Sequence, residues 1–123
     1  MERKFNILIV DKQYDPGRSF KEMLDKSGYH TVSLSAYSEI VDLLAQKRID
    51  LVIVGIAATI EICESIIRQI KEMHLNAPVI AISSRQDIQG KELLIERGLK
   101  EWISQPFDMK YVQQRVDELL RAK

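Results

Sequence analysis

Short apolar runs alternate with longer amphipathic stretches along the whole chain. The runs at 5–10, 51–54 and 79–82 are apolar almost throughout, which is typical of strands buried on both faces of a parallel sheet. Residues 29–34 alternate as a further strand, and 101–103 form a short run near the end of the chain. The pattern therefore predicts five strands.

Apolar residues recur at helical spacing in the five stretches that follow these strands. The first helix is expected to begin at Asp15-Pro16, a capping residue followed by a proline suited to the first helical position. Ser38 is expected to cap the second helix. The fourth is expected over residues 86–97, weakened internally by Gly90 and ended by Gly98.

Strands that alternate with helices imply parallel pairing through right-handed crossovers. The predicted class is α/β, with a doubly wound five-stranded parallel sheet in the flavodoxin-like order 2-1-3-4-5. The chain has no internal linker, repeat or low-complexity tract. We therefore expect residues 1–123 to form one domain, which could be the N-terminal part of a longer protein.

The charge balance and the distribution of apolar residues exclude several kinds of partner. Eighteen basic and 18 acidic residues give no net field that would attract nucleic acid or anionic lipid, so we expect no direct nucleic-acid binding. No apolar run approaches the ~20 residues needed to span a bilayer, and the start does not resemble a signal peptide. We expect a cytoplasmic protein without membrane contact. Cys63 is the single cysteine and is expected to pack as a small hydrophobe.

The carboxyl ends of the predicted strands are where ligands and chemistry gather in an open parallel sheet. The residues that follow or end these strands are Asp11, Lys12, Gly55, Ser83, Gln105 and Pro106. They include no Cys/His or Ser/His pair, and no glycine-rich phosphate loop follows the first strand. The sequence therefore predicts a residual pocket, with no catalytic residue and no cofactor.

The segments Ile7–Asp11, Asp50–Gly55 and Pro78–Ser83, followed by Gln105-Pro106, resemble a response-regulator receiver domain of the chemotaxis-regulator type. The resemblance covers essentially the whole chain. The family pattern is two adjacent acids, an aspartate that takes phosphate from a histidine kinase, a serine or threonine, and a lysine before proline. It falls here on Asp11-Lys12, Gly55, Ser83 and Gln105-Pro106.

The resemblance implies a degenerate receiver, because three of these positions have lost the chemistry of the family. Gly55 stands at the phosphoacceptor position and has no carboxylate. Lys12 replaces an acid, and Gln105 replaces the lysine. The carboxylate of Asp11 beside the ammonium of Lys12 is a poor magnesium site, so no metal is expected. Asp50 cannot substitute for the missing aspartate, because it is expected at the opposite end of its strand from Gly55.

The implied function is phosphorylation-independent protein interaction in bacterial signal transduction or transcriptional regulation. The partner would be another protein or an attached output domain, and a homodimer could form through helix 4, strand 5 and helix 5. We expect a partly exposed apolar patch on that face, made of Leu94, Leu99, Trp102 and Tyr111. The alternative is a small-molecule-binding flavodoxin-like domain that uses the crevice at the strand ends.

Overall fold

Five parallel strands form one sheet in the order β2-β1-β3-β4-β5. The computed structural model describes residues 4–10, 21–34, 37–55, 60–73, 75–83, 90–104 and 108–121. The strands are β1 Asn6–Val10, β2 His30–Leu34, β3 Leu51–Val54, β4 Val79–Ser83 and β5 Glu101–Ser104. The predicted fold class and strand order are confirmed.

The helical segments lie on both faces of this sheet. They are α1 (residues 21–26), α2 Ile40–Gln46, α3 Ile60–Glu72, α4 Lys91–Arg97 and α5 Met109–Arg121, with a 3₁₀ turn Tyr37–Glu39 before α2. One core cluster joins α2, α3 and α4 to the sheet through residues such as Leu44, Ile66 and Leu94. A second cluster joins α1 and α5 to the other face through Leu24 and Val116. The sheet is therefore doubly wound, as predicted.

The strand register brings the carboxyl ends of the strands to one edge of the sheet. Val10 pairs with Val54, and Val54 pairs with Ala81. Ser83 pairs with Ser104 at the end of β4 and β5. Residues that directly follow these strands therefore lie along a common edge, called the carboxyl edge below.

Two helix starts differ from their predicted positions. Ser38 lies in the 3₁₀ turn, and the N-cap of α2 is Glu39, which makes no side-chain capping hydrogen bond. Gly90 is not inside α4 but occupies its N-cap with φ 96°, a left-handed conformation that glycine adopts without steric cost. Gly98 ends α4 as predicted, with φ 125°. The predicted start of the first helix, Asp15-Pro16, lies outside the described residues.

Candidate functional site

Gly55 directly follows β3 at the carboxyl edge and is buried. Its backbone N–H donates to the carbonyl oxygen of Val10 at 2.6 Å, which extends the pairing between β1 and β3 by one residue. Gly55 therefore lies beside the end of β1. Asp11 is the next residue after β1 in the sequence. The only chemistry that a glycine offers at this position is that of its backbone.

The other predicted pocket residues are divided between described and undescribed parts of the chain. Ser83 is the last residue of β4 and lies on the same edge as Gly55. Asp11, Lys12, Gln105 and Pro106 lie outside the described residues. The backbone thus brings Gly55 and Ser83 to one edge, and the roles of all six pocket residues stay predictions.

Asp50 carries a buried carboxylate at the other end of β3, with only 4% of the residue exposed. Its Oδ2 accepts a hydrogen bond from the backbone N–H of Asn6 at 2.8 Å, and Arg48 Nε lies 3.5 Å from its Oδ1. Asp50 and Gly55 stand five positions apart along an extended chain, a distance of about 16 Å. The carboxylate of Asp50 therefore joins the amino ends of β1 and β3 and cannot reach the carboxyl edge, as the sequence predicted.

The predicted apolar patch on α4, β5 and α5 is wrong for three of its four members. Leu94, Leu99 and Trp102 are buried in the core cluster that joins α2, α3 and α4 to the sheet, and only Tyr111 is exposed, at 44%. A short helix on a sheet turns one of three successive apolar residues inward, and in α4 that residue is Leu94. The residues on either side of it, Leu93 and Ile95, are exposed by 41% and 45%.

A polar cluster that the sequence did not predict joins β5 to α5. Glu101, the first residue of β5, accepts hydrogen bonds from the Tyr111 hydroxyl and from Arg115 Nε. Arg115 Nη1 also donates to Glu118 Oε2 at 2.6 Å. The hydrogen bond with Glu101 raises the pKa of Tyr111 and that of Arg115. The contacts of Glu101 with Tyr111 and Arg115 join separate elements, so no local sequence spacing indicates them. Arg115 and Glu118, by contrast, stand at i,i+3 within α5.

Neither metal ligation nor thiol chemistry is supported by the described residues. No group of three or more His, Cys, Asp and Glu side chains lies close enough to hold a metal ion in the described ranges, which do not include Asp11. Cys63 is a buried free thiol, and its burial raises the pKa to about 12. It packs as a small hydrophobe, as predicted. In the part of the chain described, no helix combines the length and apolarity needed to cross a bilayer.

A parallel sheet in the order 2-1-3-4-5 with helices on both faces defines a flavodoxin-like α/β domain. Residues 7–117 match the family model of the response regulator receiver domain, and the chain belongs to this family. Receiver domains of this family act in two-component signal transduction, where they contact partners or output domains.

Three known proteins illustrate the relationship. The transcriptional regulatory protein YxdJ of Bacillus subtilis is 27% identical over 115 residues, which are 94% of this chain and 50% of YxdJ. Histidine kinase P4 of Formosa agariphila is 30% identical over 128 residues, which cover 99% of this chain and 9% of the kinase. A response regulator structure from Thermotoga maritima has a TM-score of 0.81 at 25% identity, covering 97% of this chain and 99% of that one. The chain thus spans about half the length of YxdJ.

Proposed function

We propose that this receiver domain works without phosphorylation, by binding a protein partner or an attached output domain in bacterial signalling or transcriptional control. The observation that carries the proposal is Gly55 at the carboxyl end of β3. The family resemblance assigns that position to the aspartate that accepts phosphate. A phosphoryl group needs a carboxylate oxygen to receive it, and glycine has none.

In this proposal, the remaining pocket residues do not compensate for the missing carboxylate at position 55. Asp11 supplies one carboxylate, but the ammonium of the adjacent Lys12 opposes binding of Mg²⁺, which prefers several oxygen ligands in octahedral geometry. The amide of Gln105, before Pro106, can donate a hydrogen bond but carries no charge that would neutralise a phosphoryl group. Ser83 has no phosphoryl oxygen to bind. We therefore assign no catalytic residue, metal or cofactor to this edge.

The relatives support action in combination with other domains. A segment similar to this chain forms half of YxdJ and 9% of histidine kinase P4, so both carry it within a longer protein. We propose that residues 1–123 form a single domain that transmits a signal through contact with such a neighbour. Without phosphate, the partner itself must supply the free energy that selects one conformation, because a ligand shifts an equilibrium only by its differential affinity.

We place the contact surface on α4, β5 and α5, where the exposed apolar side chains are Leu93 and Ile95 on the two flanks of α4 and Tyr111 on α5, instead of the buried residues predicted from sequence. These three side chains expose between 41% and 45% of their surface. The hydrogen bond to Glu101 holds the ring of Tyr111 in one orientation, which lowers the conformational entropy that it would lose on binding. A homodimer through this surface is the simplest assembly that it supports.

Phosphoryl transfer tests the first part of the proposal. The chain is incubated with acetyl phosphate and Mg²⁺, and its intact mass is measured. We expect no gain of one phosphoryl group. The matched control is a triple variant, Lys12→Asp, Gly55→Asp and Gln105→Lys, which restores the family pattern and should gain the mass. A phosphoryl adduct on the unaltered chain would contradict the proposal.

Self-association tests the surface. Sedimentation of the chain over a concentration series should show a dimer, and the double variant Leu93→Ser, Ile95→Ser should weaken it by about tenfold through loss of apolar area. Val41→Ser is the matched control, since Val41 is similarly exposed, at 39%, but lies on α2. A monomer at every concentration, or equal weakening by Val41→Ser, would contradict the homodimer.

A further inference from the structure

A groove of about 470 Å³ lies at the amino end of β4, at the opposite edge of the sheet from Gly55. Its walls come from α3, the segment before β4, the end of α4 and one residue of α5. They include Ile67, Ile70, Leu75, Leu119, Lys71 and Lys100. The volume is within the range of small-molecule sites, and the groove shares no residue with the predicted pocket at the carboxyl edge.

The two lysines give this apolar groove a positive rim. Lys71 lies in the last turn of α3, and Lys100 directly precedes β5. None of the ion pairs between described residues includes either ammonium. The two ammonium groups have no acidic partner in the described part of the chain, and they lie beside an apolar wall. This combination complements an amphipathic anion.

Gly98 positions one of these charges at the groove. The Cε and Nζ atoms of Lys71 lie 3.3 Å and 3.5 Å from the point that a Cβ at position 98 would occupy. The side chain of Lys71 therefore lies over the glycine, which keeps its ammonium at the wall. An ammonium here also offsets the negative end of the α3 dipole. Interaction with the helix dipole requires only that the ammonium lie near the end of α3. Its location over Gly98 additionally places the charge at the wall of the groove, where a ligand would contact it.

We propose that the groove binds an aliphatic carboxylate. The hydrocarbon chain lies along Leu75, which is 36% exposed, and Leu119, and the carboxylate contacts the ammonium groups of Lys71 and Lys100. The ion pairs remain accessible to water, so each contributes modestly to affinity and the selectivity for an anion rests on the two together. This site is separate from the surface that we propose for protein contact, and either proposal can fail without the other.

Amide shifts in a ¹⁵N NMR titration of the 123-residue chain with decanoate test the proposal. We expect saturable shifts concentrated at the groove, at Leu75, Gly98 and Lys100. Decan-1-ol has the same apolar chain without the charge, so it loses both ion pairs and should bind more than about tenfold more weakly. Decylamine should bind more weakly still. Absence of saturable shifts with decanoate, or equal binding of decan-1-ol, would overturn the proposal.

Charge-removing variants separate recognition from general hydrophobic binding. Lys71→Met and Lys100→Met should each weaken decanoate binding by about fivefold, and the double variant by more than about tenfold, with decan-1-ol unaffected. Lys47→Met is the matched control, because Lys47 is exposed at the end of α2 and does not line the groove. Amide spectra confirm that each variant is folded. Equal weakening by Lys47→Met would show non-specific charge attraction and overturn the assignment.

Discussion

Replacing Asp50 with alanine tests whether this buried acid, which directly precedes β3, is structural. Asp50→Ala removes the oxygen that accepts a hydrogen bond from the Asn6 backbone N–H at 2.8 Å. Loss of the charged acceptor for this partly buried N–H lowers the free energy of unfolding by about 1.5–3 kcal/mol. Arg48 has 73% of its side chain exposed, so loss of its pairing over 3.5 Å adds less than about 1 kcal/mol. We expect the free energy of unfolding to fall by about 2–3 kcal/mol.

Equilibrium unfolding in urea, followed by the fluorescence of the buried Trp102, measures this loss. Asp50→Asn keeps one acceptor oxygen and should cost about half as much. Asp42→Ala, at an exposed position of α2, should stay within about 0.5 kcal/mol of the unaltered chain. A loss below about 0.5 kcal/mol for Asp50→Ala would refute the structural role.

Three further predictions address burial and charge. Burial raises the pKa of Cys63 to about 12, so about one thiol in 10,000 is ionised at pH 8. Disulfide reagents should therefore modify the folded chain at least about 1,000-fold more slowly than the unfolded chain. Equal rates would show that the thiol is accessible. The Thr31 hydroxyl donates to Asp25 Oδ1 at 2.7 Å and lowers the pKa of Asp25 below 3.8, so this contact adds stability above that pH that is lost as the pH falls. Thr31→Val should therefore flatten the decline of the unfolding free energy in acid, and an unchanged acid slope in urea titrations would contradict this. Trp102→Ala should lower the free energy of unfolding by about 3–5 kcal/mol, because Trp102 is a core residue. A loss below about 1 kcal/mol, measured by unfolding in urea, would show that Trp102 is a surface residue.

The central strands were predictable from sequence because a parallel sheet covered on both faces requires apolar residues at almost every position of its inner strands. Leu51–Val54 illustrates this, since all four residues are buried and the predicted bounds equal those of β3. The strand order followed from the alternation with helices and from chain length. Gly55 could be placed for the same reason, because it is the first residue after a run whose end is unambiguous.

Surface and cap details were less predictable, because they depend on how an element is rotated on the sheet. Three successive apolar residues in α4 give no local indication that Leu94 turns inward while Leu93 and Ile95 face solvent. Gly90 was assigned to the helix interior because composition does not reveal a positive φ. The contact of Glu101 with Arg115 joins residues 14 positions apart, which only the packing of α5 on β5 brings together.

The central claim is that the carboxyl edge cannot hold a phosphoryl group, and an NMR titration with Mg²⁺ and beryllofluoride tests it most directly. Beryllofluoride bound to a carboxylate imitates an acyl phosphate, and the amides of Gly55 and Ser83 lie at the edge where it would bind. We predict that neither amide resonance shifts at saturating concentrations. A saturable shift of both, dependent on Mg²⁺, would show that another carboxylate fills the role and would contradict phosphorylation independence.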